Sequence, residues 1–434
     1  MDALLIRNGI LTDPRERTMR RRDVLIEEDR ISMIRDRIDA GRAARVIDAS
    51  GCYVMPGFID MHVHLRDPGL EYKETVESGG AAAAHGGFTT ILAMPNTKPV
   101  CDRPDVVDFV HRKAEALTKI HVIQVGAVTK KQEGKELADI AGMAASGSIA
   151  ISEDGKSVMD SGLYAQAMHL AKELDLTVLA HCEDSNLVRG GVMNADAKAK
   201  ELGLPGITNA VEDIIVMRDI LLARETGARL HLCHCSTKDS VRMVREAKAA
   251  GLPVSAEVCP HHFALCSGDI PGDDPNYKMN PPIRTKEDME ALRQGLADDS
   301  IDVIATDHAP HAAGEKAGSM RDAAFGIVGL ETAAALTWTH LVGTGILTVM
   351  QMAEKLSYNP ARILKLKEKG YIAEGIPADL VVFDPDAEYV IDKNTFLSKG
   401  RNTPFDGMRV SGAVRTTIAG GRIAYSRYPI GETV

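Results

Sequence analysis

The sequence predicts an α/β chain: a (β/α)8 TIM-like barrel carrying a small composite β-sandwich domain formed by both termini. Three observations lead there. Eight apolar, β-rich runs fall at 58–64, 89–94, 121–127, 149–152, 177–181, 230–234, 254–258 and 303–307. Alanine-rich amphipathic stretches separate most of them, for example at 74–85, 165–174 and 214–226. The two ends of the chain are β-rich and unlike the middle. Strands that alternate with helices build parallel sheets, and eight such units can close a barrel. An open doubly wound sheet is the alternative. The count of eight, and the lack of a glycine-rich nucleotide turn after the first run, favour the barrel.

Short strand-like runs at 4–6, 23–26, 31–34 and 45–47 are punctuated by Asn8-Gly9 and Glu28-Asp29, which read as turns. Near the other end, 378–384 and 414–419 read as strands, the second stopped by Gly420-Gly421. Residues 1–54 and 371–434 are therefore assigned to one β domain, and 55–370 to the barrel. No internal repeat or low-complexity tract is visible.

Composition narrows the function. The chain has 434 residues, 44% hydrophobic and 26% charged, as in ordinary globular proteins. A net charge of −10 leaves no basic surplus to neutralise phosphates, which argues against a nucleic-acid partner. Arg20-Arg21-Arg22 reads as a solvated turn. Seven cysteines, an odd count, fit a reducing compartment better than a disulfide scaffold. The start, Met-Asp-Ala-Leu-Leu-Ile-Arg-Asn-Gly, lacks the pattern of a signal peptide. No apolar run approaches the ~20 residues that span a bilayer. A cytoplasmic protein without a membrane partner is expected.

The chemistry begins at Phe58-Ile-Asp-Met-His62-Val-His64-Leu-Arg66-Asp-Pro-Gly69. Strand alternation puts Asp60, His62 and His64 on one face. Two imidazoles at a strand's carboxyl end can hold one metal ion and leave positions free for water. The plain alternative is a pair of packed or solvent-facing histidines. Catalytic groups of a barrel collect at the carboxyl ends of its strands. Asp154 follows the fourth run, His181 ends the fifth, His234 the sixth and Asp307 the eighth. Four imidazoles and two carboxylates suit one or two zinc-like ions.

Other candidates are weighed against these. Cys233 and Cys235 flank His234 in an apolar stretch and read as buried cysteines facing away from it. His231 points opposite to His234. His261-His262 follows the seventh run on the same side and could line the site. His85, His111, His121, His169 and His340 read as structural. Glu183 and Asp184 read as a loop cap or as partners of His181. Two cations sharing a water lower its pKa towards neutrality and polarise a carbonyl. Asp307, beside the metal, suits the proton transfer. Spacing alone leads to a metal-dependent hydrolase acting at an amide-like carbon.

These motifs, with Met94-Pro-Asn96-Thr, Lys278-Met-Asn280-Pro-Pro, Ala305-Thr-Asp307-His-Ala-Pro-His311 and Phe325-Gly-Ile-Val-Gly-Leu-Glu331-Thr, resemble class I, bacterial-type dihydroorotases of the amidohydrolase superfamily. The likeness covers nearly the whole chain. It implies the reversible cyclisation of N-carbamoyl-L-aspartate to L-dihydroorotate plus water in pyrimidine (UMP) synthesis. It implies two zinc ions: His62 and His64 on the first, His181 and His234 on the second, Asp154 and a hydroxide between them. Asp307 would contact the first ion and act as general acid and base. Arg66 would clamp the substrate carboxylate in a bidentate fork, supported by His64, Asn96 and His311. Asn280 and the main chain of Phe325-Gly326 would hold the ring amide. A homodimer and an association with aspartate carbamoyltransferase are also implied.

Relatives that act on neutral rings carry a carboxylated lysine as the bridge. Here the position reads Ser152-Glu153-Asp154-Gly155, with no lysine before Lys156. Many members have aspartate in place of Glu153 and proline in place of Ala324, and the second difference bears on the stiffness of the loop before Phe325. Two other readings stay open: a hydantoinase- or allantoinase-like cyclic amidohydrolase, and an inactive dihydroorotase-like scaffold for aspartate carbamoyltransferase.

Overall fold

The computed structural model describes residues 3–429 and 431–432. Each of the eight apolar runs forms parallel strand structure, in chain order: Phe58–Val63, Phe88–Ala93, His121–Gln124 with Gly126–Ala127, Ala150–Ser152, Thr177–Ala180, Arg229–Leu232, Val254–Val258 and Val303–Ile304. Each pairs in parallel with its neighbour in sequence. The third run gives one short strand to a three-stranded sheet and one to a six-stranded sheet. An isolated parallel bridge links Val63 of the first strand to His308, four residues beyond the eighth, and the His64 N–H donates to the His308 carbonyl at 2.9 Å.

Burial explains why these runs are apolar. Every residue of Phe58–Val63 and Phe88–Ala93 is buried, as parallel strands covered on both faces require. One cluster gathers Ile59, Met61, Leu92, Met94, Leu179 and Val303. A second packs Phe58, Phe88, Ile91 and Val178 against helix residues such as Val107, Ala167, Val216 and Val244. Phe58 and Phe88 meet edge to face, 5.9 Å between centroids. Burying each such ring stabilises the fold by about 1.5–3 kcal/mol.

Caps set the helix boundaries. The helix expected at 74–85 runs Val76–His85, because Thr75 and Ser78 form a capping box. The second expected helix starts earlier, at Ser161–Glu173, where Asp160 accepts from the Gly162 and Leu163 amides. The third, Ala210–Thr226, stops at Gly227, whose φ is +69°.

Both ends of the chain contribute to one nine-stranded, branched sheet. They join where Leu380–Val390 pairs antiparallel with Tyr53–Pro56, a strand that straddles the 54/55 boundary drawn from the sequence. Two turn assignments are corrected. Asn8-Gly9 is a bulge inside the continuous strand Leu4–Asp13, with the register shifting between Ile6 and Gly9 and Asn8 at φ +64°. Asparagine tolerates that left-handed conformation, so it marks a bulge as readily as a turn. Arg20-Arg21-Arg22 lies within strand Thr18–Glu27, on largely exposed positions, not in a turn. All seven cysteines are free. Among the described residues no helix is long and apolar enough to cross a membrane.

Asp379 ties the terminal sheet to the parallel strands. Its buried carboxylate accepts from the Gly420 N–H at 2.8 Å and His121 Nε2 at 3.3 Å, and it pairs with Lys369. Burial alone would raise its pKa, but His121 and Lys369 hold it below the usual carboxylate range. A depressed pKa stabilises the fold above the unfolded-state value of about 3.9, and that contribution fades as pH falls below it. Asp379→Asn should therefore cost about 1–3 kcal/mol at pH 7. Urea midpoints of both proteins at pH 7 and pH 3 check this, and the difference should shrink at the lower pH.

Candidate metal centre

The carboxyl ends of the first, fourth, fifth, sixth and eighth strands bring the expected residues together. His62 Nε2 lies 3.0 Å from Asp154 Oδ1 and 3.6 Å from Asp307 Oδ1. His64 Nε2 lies 3.0 Å from Asp307 Oδ1 and 3.4 Å from Asp154 Oδ2. His181 Nδ1 and His234 Nε2 sit 3.7 and 4.0 Å from Asp154 Oδ1, and 2.8 Å from each other. Asp154 is thus the shared neighbour of all four imidazoles. Arg66, His234 and Asp307 hold left-handed φ values of +60°, +33° and +48°, a strain that clusters at functional sites.

These atoms suit a cation. Donors on a tetrahedral zinc at about 2.0–2.1 Å lie roughly 3.3 Å apart, close to the spacings seen here. His62 Nε2 is fully buried, and though it lies 3.0 Å from Asp154 Oδ1 the pair is not aligned as a hydrogen bond. Burial disfavours charge on His62, yet Asp154 pulls its pKa well above the ordinary value. Burial would also raise Asp154, but His62 and His64 hold it well below the usual range. The carboxylates therefore present negative charge that a cation would satisfy. His234 is pushed down to about 3 by burial and by His181, which keeps it neutral, as a metal ligand must be.

A cavity of about 220 Å³ opens above this cluster. His64, Arg66, Asn96, Asn280, His311, Phe325 and Gly326, the residues expected to meet substrate, all line it. The Arg66 guanidinium reaches the Pro310 carbonyl at 3.3 Å and lies 3.5 Å from His311 Nε2. Asn96 is committed to His64 Nδ1 at 2.9 Å and Asp154 at 3.4 Å, and so steadies the metal-type residues. Asn280 donates to Glu183, which lies 3.6 Å from His181 Nε2. Asp184 caps helix Ser185–Val188. Gly326 has φ +129°, and a Cβ there would come within 2.7 Å of the Ala309 Cβ, so only glycine fits.

A family model described as "Dihydro-orotase-like" matches residues 51–240. The chain is 47% identical over 421 residues to a dihydroorotase of Pelotomaculum thermopropionicum, covering 97% of this chain and 98% of the relative. It is 48% identical over 382 residues to a dihydroorotase of Bacillus caldolyticus, covering 88% and 89%. The chain belongs to the dihydroorotase family. Among solved structures it matches the L-hydantoinase (dihydropyrimidinase) of Arthrobacter aurescens with a TM-score of 0.88 at 26% identity, covering 99% and 97%. The dihydropyrimidinase of Brevibacillus agri gives 0.85 at 25%, covering 98% and 95%. These likenesses imply a TIM barrel with an additional domain for this member of the dihydroorotase family.

Two expectations change in this dihydroorotase-family site. His261 and His262 sit in helix Pro260–Ala264, buried, and neither lines the cavity. His262 Nε2 instead donates to the Pro281 carbonyl. His231, set aside as pointing away, lies beneath the centre: its Nε2 and His62 Nδ1 each lie 3.0 Å from an oxygen of buried Glu257. Glu257 carried no signal in the sequence, because a glutamate inside an apolar strand has no motif of its own. Its carboxylate sits on the Nδ1 side of His62 and would leave Nε2 to face a cation bound at the centre. Asp60 is also below the centre. It accepts from the His62 and Thr306 amides and the Thr306 hydroxyl, tying the first strand to the eighth. Burial pushes its pKa up to about 7.

Proposed function

We infer that this site carries out the reversible ring closure of N-carbamoyl-L-aspartate to L-dihydroorotate with loss of water, the dihydroorotase step of pyrimidine synthesis. The chain is a metal-dependent cyclic amidohydrolase. The observation that carries the substrate assignment is a buried guanidinium, Arg66, in the same small cavity as the His/Asp cluster. Hydantoinase-like action on neutral rings gives such a cation nothing to bind. A full set of candidate ligands speaks against an inactive scaffold.

In this reading His62, His64 and Asp307 would hold one zinc, His181 and His234 would hold a second, and Asp154 would serve both. The ions supply Lewis acidity and a water of lowered pKa. Burial would raise the Asp307 pKa, but the hydrogen bond to His64 and the nearby His62 keep its carboxylate ionised. In hydrolysis Asp307 takes a proton from the attacking water and gives it to the ring nitrogen as the C–N bond breaks. In ring closure it takes that proton from the carbamoyl nitrogen and gives it to the departing water. Arg66 holds the substrate carboxylate with two parallel N–H bonds. Asn280 and the backbone at Phe325-Gly326 orient the ring amide. The same reading makes the eight strands one closed barrel, makes 1–54 and 371–434 the two parts of a β-sandwich domain, and assigns the class I type. It includes homodimers in the cytoplasm, with aspartate carbamoyltransferase as a partner to test.

Removal of metal tests the core of this reading. Dialysis against a chelator should abolish L-dihydroorotate turnover, and zinc should restore it with about two ions per chain. Full activity in metal-free protein would contradict it. Glu257→Gln should weaken zinc binding by about 10- to 100-fold, read by competition with a chromophoric chelator.

A further inference from the structure

The Phe325–Gly326 backbone that lines the cavity is held by a lysine, Lys316, that does not line it. Residues 317–326 form turns and bends rather than helix or strand. The carbonyls of residues 323 to 326 nonetheless all accept from side chains. Lys278 Nζ donates to Ala323 O at 2.5 Å, Lys316 Nζ to Ala324 O at 2.9 Å, and His311 Nε2 to Phe325 O at 2.8 Å. Gly326 O receives both Lys316 Nζ and Asn402 Nδ2 at 3.0 Å.

Lys316 is central to this arrangement. Its third N–H donates to Lys278 O at 3.0 Å, the carbonyl that also accepts from the Gly326 amide. Three backbone carbonyls lie within hydrogen-bond reach of its Nζ, enough for every donor of the charged form, although burial and the nearby Lys278 push its pKa down to about 7. Among the described residues no carboxylate lies within ion-pair distance of it. Lys278 binds the same loop, its Nζ 4.4 Å from the Phe325 ring centroid. Side-chain donors thus tie down a stretch that has no helix or strand ladder of its own.

We propose that Lys316 is a positioning residue for substrate: it locks the Phe325–Gly326 main chain against the cavity. This rests on the reading of that cavity as the L-dihydroorotate site. Loss of the lock loosens substrate binding while the metal centre, built on separate strands, stays intact.

Lys316→Met and Lys316→Gln test it. Lys316→Met should raise KM for L-dihydroorotate by about 10- to 100-fold with kcat within about threefold and zinc affinity unchanged. Lys316→Gln keeps two donors and should raise KM by only about 3- to 10-fold. In both variants amide hydrogen exchange at 323–328 should speed up about tenfold or more, with strand Phe58–Val63 unaffected. Unchanged KM and unchanged exchange would overturn the proposal. So would a fall in kcat and zinc content with KM intact, since that marks support of the metal centre instead. If Lys316→Met does not fold, Lys316→Gln decides by the same readouts. If the unmodified chain turns over no L-dihydroorotate, the functional reading fails, and exchange at 323–328 judges the lock alone: faster supports it, equal overturns it.

Discussion

Replacing Asp307 with asparagine is expected to lower kcat for L-dihydroorotate by about 10²- to 10⁴-fold, the usual contribution of a positioned acid–base group, without unfolding the chain. The carboxylate lines the cavity and lies 3.0 Å from His64 Nε2. It is held ionised, so it is ready to accept a proton in the hydrolytic direction. Asparagine keeps the shape and the oxygen but cannot carry that proton. Because Asp307 also stands beside His62, zinc content must be measured with the kinetics. A variant with full zinc and a near-normal rate would remove Asp307 as proton carrier.

Arg66→Ala should lose about 2–4 kcal/mol of transition-state binding, roughly 30- to 1000-fold in kcat/KM. Arg66 is only 9% exposed and its backbone sits at φ +60°, so the fold commits a strained, buried cation to this place. Lysine should not restore the loss, since a single ammonium cannot match the planar fork. Kinetics unchanged by the alanine substitution would show that no carboxylate binds there.

Much of the site was legible because its residues end strands. Side chains at the carboxyl ends of consecutive parallel strands converge whatever their separation in sequence, so His62, His64, Asp154, His181, His234 and Asp307 could be collected by position alone. The supporting residues were not legible. Glu257 lies 195 residues from His62, and Lys316 reaches back 38 residues to Lys278. Such pairings exist only after the strands and loops are set in space. His261 and His262 could have lined the site by position, but a helix starts at Pro260, directly after the seventh strand, and both are buried away from the cavity. Asn8-Gly9 shows the same limit locally, since a left-handed asparagine serves a bulge as well as a turn.

The comparison of three substrates under identical conditions tests the central claim most directly. Zinc-loaded protein is assayed with L-dihydroorotate, dihydrouracil and allantoin. Arg66 and the His/Asp cluster together require much faster turnover of the carboxylate-bearing ring. Faster turnover of a neutral ring, or stoichiometric zinc with no turnover of L-dihydroorotate, would contradict it.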